Sequence, residues 1–249
     1  MFLRESDMAP SVTRWMTRAG LHVKREFVTP WGICDLAGVS FNTEHAAHRM
    51  HLRQKKSVAS ITRAVLLLEI PDAEEDKSVS IARLVSRFAA TVGEELVAAE
   101  IERLIDDGFV LRTSRGRLQK MNGWMPLQDR LVAVELKLSR IAEALKQARA
   151  NMGFAEESYV AFPMPVALRI AREPSSWSSY FDDGIGLIGV LRQRCEVLIA
   201  PVSSSRRHDP AIQLYCVEKF WRTQQSLIQS DSRRGLRTLQ DGKMIGVQD

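Results

Sequence analysis

The sequence predicts an α/β fold, a sandwich built on a mixed sheet and interrupted by a separate helical segment. Three observations carry this expectation. A helical pattern and a strand–turn–strand pattern open the chain, and strand and helix patterns alternate again after residue 121. Between them, Ser57 to Lys120 changes to a helical period and then to two short extended runs. Leu131 to Leu138 reads LVAVELKL, a strand pattern carrying one acid and one amine two residues apart. Hairpin-linked strands are antiparallel, whereas strands joined by a helical crossover are parallel, so the sheet is mixed.

Met8 to Ala19 places Val12, Trp15, Met16 and Ala19 on one helical face, with Gly20 as a C-terminal signal. Leu21 to Phe27 and Ile33 to Phe41 suit strands. The turn Thr29-Pro30-Trp31-Gly32 joins them into a hairpin with Asp35 inside its second strand. Asn42 to Lys56 is polar and ends in RQKK, a helix or connection leading out of the first domain. Helices follow at Ile61 to Leu68, at Ser80 to Phe88 with Ser80 as cap, and at Glu94 to Asp107, ending at Gly108. Short strands then fit Phe109 to Thr113 and Arg117 to Lys120 around the basic tip Ser114-Arg115-Gly116. Three helices, the last two separated by a tight turn and followed by a two-stranded wing, describe a winged helix-turn-helix.

The first pattern resumes with the charged strand, a helix from Arg140 to Met152, a strand from Ser158 to Phe162 and a short helix around Val166 to Ala171. Strands at Gly186 to Leu191 and Glu196 to Ala200 come next, then a helix beyond Tyr215 to about Ile228. The expected organisation is a discontinuous core over residues 1–54 and 121–221, an insertion over 55–120, and a polar, poorly ordered tail over 222–249.

Composition narrows the classes. The 249 residues are 45% hydrophobic and 26% charged, as in ordinary soluble domains. The net charge of +5 is compatible with an acidic partner such as nucleic acid, but an excess of this size also occurs in proteins that bind none. Cys34, Cys195 and Cys216 are odd in number and show no CxxC spacing, which argues against a disulfide scaffold or zinc ribbon. The opening MFLRESDMAP lacks a signal-peptide apolar core, and the longest apolar run, Ala64 to Leu68, is too short to span a bilayer. A cytoplasmic location is expected, with no membrane association.

Alternation along a strand points Glu135 and Lys137 the same way. Buried charges cost several kcal/mol unless paired or holding a metal, so the choice is between a cross-strand ion pair and a catalytic site. The wider pattern favours the second. A helix is followed by a hairpin with Gly32-Ile33-Cys34-Asp35, a strand with Glu135-Leu136-Lys137, a helix with Gln147-Ala148, and a strand with Tyr159-Val160-Ala161-Phe162-Pro163. This order resembles the PD-(D/E)XK nuclease superfamily, which has a restriction endonuclease-like fold. The likeness covers residues 1–54 and 121–201, with the winged helix inserted between. One departure is that Cys34 stands where the family has proline.

The resemblance implies a Mg²⁺-dependent endonuclease, with Mn²⁺ as a substitute, acting on DNA. Phosphodiester hydrolysis needs charge neutralised on the phosphate and a nucleophile at neutral pH, which a carboxylate-held cation supplies. Asp35, Glu135 and the carbonyl of Leu136 are the implied metal ligands. Lys137 would orient water or stabilise developing charge, and Gln147 would position the water or the lysine. Glu5 matches an acid often found on the first helix, a second-shell or second-metal ligand. Glu26 competes for that role, and a plain helix N-terminal acid is the other reading of Glu5. The alternative function is a catalytically degenerate nuclease fold that binds DNA or assembles with protein. A third is a transcriptional regulator driven by the winged helix.

The insertion's third helix holds Glu94, Glu95, Glu100, Glu102, Asp106 and Asp107 against Arg103, so phosphates would repel it. DNA contact is therefore expected from Arg112, Arg115, Arg117 and Lys120 of the wing and Arg83 and Arg87 of the preceding helix. Otherwise the module serves a homodimer or a partner protein. His45, His48 and His51 recur every third residue and Glu44 adds a carboxylate, a zinc-like spacing without a well-placed fourth ligand. Solvated or phosphate-facing histidines are the better reading. Trp31 and Trp124 are expected as core or rim aromatics.

Overall fold

A computed structural model describes residues 2–58, 60–121, 126–202 and 208–221. The fold is mixed α/β, and the described residues divide into two units, 2–42 with 126–217 and 43–121 with 218–221.

In the first unit a six-stranded mixed sheet runs in the order β1 (His22–Thr29), β2 (Gly32–Phe41), β5 (Gln128–Leu136), β6 (Glu157–Pro163), β7 (Gly186–Val190), β8 (Cys195–Ile199). The pairs β5–β6 and β6–β7 are parallel and the others antiparallel. Burial on both faces explains the near-continuous apolar runs of β5 to β7. On one face α1 (Ala9–Arg18) buries Met8, Val12 and Met16 against Leu36, Val132, Val134 and Tyr159. Gly38 permits that approach, since a Cβ there would meet Met16 Cε at 2.7 Å. On the other face α6 (Ile141–Asn151) and α7 (Met164–Arg172) bury Ala144, Leu145, Ala148, Ala167 and Ile170 against Val160, Phe162 and Leu187. Thus Val132, Val134 and Leu136 of β5 face α1, and alternation turns Glu135 toward the α6 side.

Two elements differ from the sequence reading. A 3-10 turn over Pro174–Trp177 leads into α8 (Ser178–Phe181), where no helix was expected. α9 (Pro210–Glu218) begins before Tyr215 because Asp209 Oδ1 accepts the N–H groups of Ala211 and Ile212, an N-cap ahead of a proline at the first helical position. Its expected continuation to Ile228, the tail over 222–249 and Trp124 lie outside the described residues. Trp31 is a rim aromatic, 46% exposed and tilted against Phe154.

The second unit holds α2 (Thr43–His51), α3 (Ile61–Glu69), α4 (Ile81–Val92), α5 (Glu94–Asp106) and the hairpin of β3 (Val110–Arg112) with β4 (Leu118–Lys120). Ser60 and Ser80 cap α3 and α4 by accepting the N–H groups of Arg63 and Arg83. Gly93, at φ +92, is the whole turn between α4 and α5. The segment between α3 and α4 adds bridges from Asp72 to Lys120 and from Val79 to Leu118. The division falls after Asn42, not at residue 54, and Glu218 joins this unit, because buried Arg49 of α2 ties its parts together. Its guanidinium donates to both carboxylate oxygens of Glu218 and to the carbonyls of Gln54 and Lys56, and lies 4.1 Å from the Trp221 ring centre. Glu218 also accepts the Val58 N–H at 2.7 Å. Removing one partner of a buried pair strands the other charge, so Glu218→Ala should destabilise the protein by about 3–5 kcal/mol in urea unfolding. A loss below about 1 kcal/mol, the range of exposed pairs, would contradict this role.

Candidate functional site

The site forms where β2 leaves β5. Their ladder ends at Leu36↔Val134, and one step beyond it Asp35 stands opposite Glu135. The ladder between β1 and β2 skips the same place: Arg25 pairs Leu36 and Phe27 pairs Cys34, leaving Glu26 opposite Asp35 with φ +49. A left-handed conformation costs a non-glycine residue about 1–2 kcal/mol and persists only where the surroundings fix it.

Side chains replace the interrupted ladder. The Leu136 N–H donates to Asp35 Oδ2 at 2.7 Å, and the Cys34 thiol donates to the Leu36 carbonyl at 3.1 Å. Asp35 is half-buried, while Glu135 is 2% exposed. Asn151 Nδ2 donates to Glu135 Oε1 at 2.6 Å and lies 3.5 Å from Cys34 Sγ. Burial pushes the Glu135 carboxyl up to about 7, and Asp35 reinforces this through its charge and a carboxyl–carboxyl hydrogen bond. Asn151 and Lys137 act in the opposite direction. Burial also raises the Cys34 thiol, and the charge of Glu135 adds to it, so sulfur stays protonated.

Lys137 lies one residue past β5, where its N–H donates to the Ala161 carbonyl at 3.1 Å and continues the parallel ladder. It is buried, with Nζ 3.6 Å from Glu5 and 3.7 Å from Glu143. Glu5, in a 3-10 turn before α1, also accepts the Leu138 N–H at 3.4 Å and lies 3.7 Å from Arg140. Glu5 therefore stands with the lysine, not with the carboxylate pair. On α6, Glu143, Gln147 and Asn151 recur every fourth residue and share one face. That stripe meets Lys137 at one end and Glu135 at the other, with Gln147 between. The Oε1 of Gln147 is buried and accepts no hydrogen bond among the described residues.

Asp35, Glu135 and Lys137 thus converge, Gln147 looks on from the facing helix, and Glu26 stays exposed on β1. Sequence reasoning missed Asn151 and Glu143, although their positions four residues either side of Gln147 are a readable signal. It also took Cys34 only as a small buried residue. Among the described residues no group of three or more His, Cys, Asp and Glu side chains is placed to hold a metal, and His45, His48 and His51 with Glu44 on α2 form no such group. Two carboxylates with the Leu136 carbonyl suit a hard, oxygen-preferring cation, since Mg²⁺ takes one or two carboxylates and keeps several waters. A cation between Asp35 and Glu135 would replace the shared proton.

In the second unit Arg83, Arg87, Arg112, Arg115 and Arg117 are exposed and Lys120 half-buried. Arg87 pairs with Glu69, Arg112 with Glu102, and Arg117 donates to Ser78. Arg83 and Arg115 have no side-chain partner among the described residues. Part of the acidity of α5 is spent internally: buried Glu100 takes Arg63 and Arg103, and Asp107 takes Lys56 and Arg63. No described helix is long and apolar enough to cross a membrane.

No family model matches the chain, and no curated protein does. A solved structure of a protein of unknown function from Silicibacter pomeroyi is similar over 100% of both chains, at 12% identity and a TM-score of 0.42.

An acid whose folded-state pKa of about 7 lies above the ordinary 4.5 is destabilising once ionised. Its contribution is therefore lost as pH rises from about 4.5 through about 7, by on the order of 3 kcal/mol. Glu135→Gln should match the wild type near pH 5 and exceed it in urea unfolding without added metal near pH 8. A stability difference that does not change with pH would show that Glu135 carries no raised pKa.

Proposed function

We propose that the chain is a metal-dependent endonuclease that hydrolyses phosphodiester bonds of DNA, of the PD-(D/E)XK type, with the second unit serving as a winged-helix module for substrate binding. The observation that supports this most is the convergence of Asp35, Glu135 and Lys137 on the α6 side of the sheet where β2 and β5 separate. An ion pair kept only for stability would leave Glu135 bonded to Lys137. Here Glu135 is instead held by Asn151 and faces a second acid, a costly arrangement for a purely structural role.

When bound by Asp35, Glu135 and the Leu136 carbonyl, Mg²⁺ or Mn²⁺ would lower the pKa of a water and neutralise charge on the phosphate. The protein's own residues do the rest. Asn151 fixes the Glu135 carboxylate, and the Leu136 N–H fixes that of Asp35, so neither reorients during the reaction. Lys137 is held loosely, by contacts of 3.6 and 3.7 Å, and can turn its ammonium to the transferring phosphoryl oxygens. The free lone pairs of Gln147 Oε1 offer an acceptor for the attacking water.

Three capped helices, a short extended segment between the first two, and a terminal hairpin support the winged-helix reading. Arg83 and Arg115 are its best phosphate contacts, because the other arginines must first break internal bonds.

The test is nicking of plasmid, linear and branched DNA with Mg²⁺, Mn²⁺ or EDTA. Asp35→Ala should abolish metal-dependent cleavage, and Lys137→Ala should lower it by about 10²-fold or more while leaving DNA affinity nearly unchanged. Wild-type cleavage by Lys137→Ala at saturating DNA and metal would reduce the lysine to an ion-pair partner. Absence of any metal dependence would favour the degenerate binding platform. Arg83→Ala/Arg115→Ala should weaken DNA binding across all sequences and make the slope of log affinity against log salt shallower by about 2. An unchanged slope would remove the second unit from the DNA interface.

A further inference from the structure

In open α/β sheets, ligands bind at the carboxyl ends of parallel strands. β5, β6 and β7 end at Leu136, Pro163 and Val190, and a cavity of about 700 Å³ opens there. Its floor is apolar, formed by Phe2, Leu138, Met164, Val166 and Val190, and its polar groups are Ser139 and Arg192. A second cavity of about 570 Å³ shares Met164, Pro165 and Leu191 with the first and adds Arg169, Arg172 and Glu173. The two form one groove, with a continuous apolar floor and three arginines against one carboxylate on its rim. All three arginines are exposed. The rim is anchored, since Ser11 Oγ donates to the Arg192 carbonyl at 2.7 Å.

We propose that this groove receives an unpaired, single-stranded segment of nucleic acid, so that the preferred substrate carries a single-stranded flank. The choice of ligand rests on the nuclease reading above. Sequence-tolerant single-strand binding combines a cationic track for the backbone with apolar or aromatic surface for exposed base faces. The groove has both. A blunt duplex keeps its bases stacked on one another and offers the floor nothing, so it would use only the arginines. Leu138 and Ser139 directly follow Lys137, so a strand lying in the groove passes beside the candidate site.

The experiment is fluorescence anisotropy of the full chain in EDTA, where no cleavage occurs, with a labelled oligothymidine strand, a blunt duplex and the same duplex carrying a single-stranded tail. The wild type should bind the single strand and the tailed duplex about tenfold more tightly than the blunt duplex, the effect of roughly one stacked base. Arg169→Ala/Arg172→Ala/Arg192→Ala should lower affinity for those two about tenfold or more. Phe2→Ala should lower it as well and leave the blunt duplex within twofold. Equal affinity for tailed and blunt duplexes, or equal losses on both in the Phe2 variant, would overturn the proposal. So would a fluorescent fatty acid that binds the groove, is lost in Phe2→Ala and is not displaced by oligothymidine. Cleavage is read separately with Mg²⁺ or Mn²⁺. Selective tail binding without cleavage leaves the groove standing and sinks the nuclease reading. Cleavage of blunt DNA that the groove variants do not alter does the reverse.

Discussion

The apposition of Asp35 and Glu135 is the constraint on which the rest of the first unit depends. Two acids can share a sheet edge only if their charge is relieved by a proton, a cation or donors, and each means of relief is visible in the surroundings. The backbone ladder stops one residue early so that the Leu136 N–H can bond Asp35. Glu26 adopts a left-handed conformation where β1 passes the same point. α6 spends a buried asparagine on Glu135, and Cys34, without a proline's fixed backbone, offers a thiol to nearby carbonyls. None of these features improves packing. Together they hold two carboxylates in place, one of them deep in the protein.

The sheet order is what makes this arrangement possible. Placing β5 between antiparallel β2 and parallel β6 brings the hairpin's Asp35 to the strand that carries Glu135 and Lys137, although the insertion separates them by a hundred residues of sequence. The same parallel crossovers open the groove at the ends of β5, β6 and β7. The candidate site and the groove are therefore two consequences of one topology. Glu5 and Glu143 complete it from α1's leading turn and from α6, holding Lys137 near neither acid of the pair.

Much of the fold was legible because its patterns are local. Helices with serine caps, such as Ser60 and Ser80, and the hairpin around Gly32 lie close to the expected positions. Asp35, Glu135 and Lys137 could be named because residue types at fixed spacing on strands carry their facing directions with them. What remained hidden was relational. Asn151 is an ordinary helix residue until Glu135 is known to lie opposite it, and the boundary after Asn42 depends on Arg49 meeting Glu218 from far along the chain. The break in the ladder at Glu26 has no sequence signal, since β-region and left-handed glutamates read alike. The acidity of α5 was visible, but not its partial neutralisation by Arg63 and Lys56.

The central claim is that Asp35 and Glu135 share a divalent cation in exchange for a proton. Calorimetric titration of Mn²⁺ in buffers of differing ionisation enthalpy measures both at once. With Glu135 titrating at about 7, binding near pH 6 should release close to one proton per ion, the release should fall away toward pH 8.5, and Asp35→Ala should abolish binding. Saturable Mn²⁺ binding that Asp35→Ala leaves intact, or no binding by the wild type at either pH, would contradict the account.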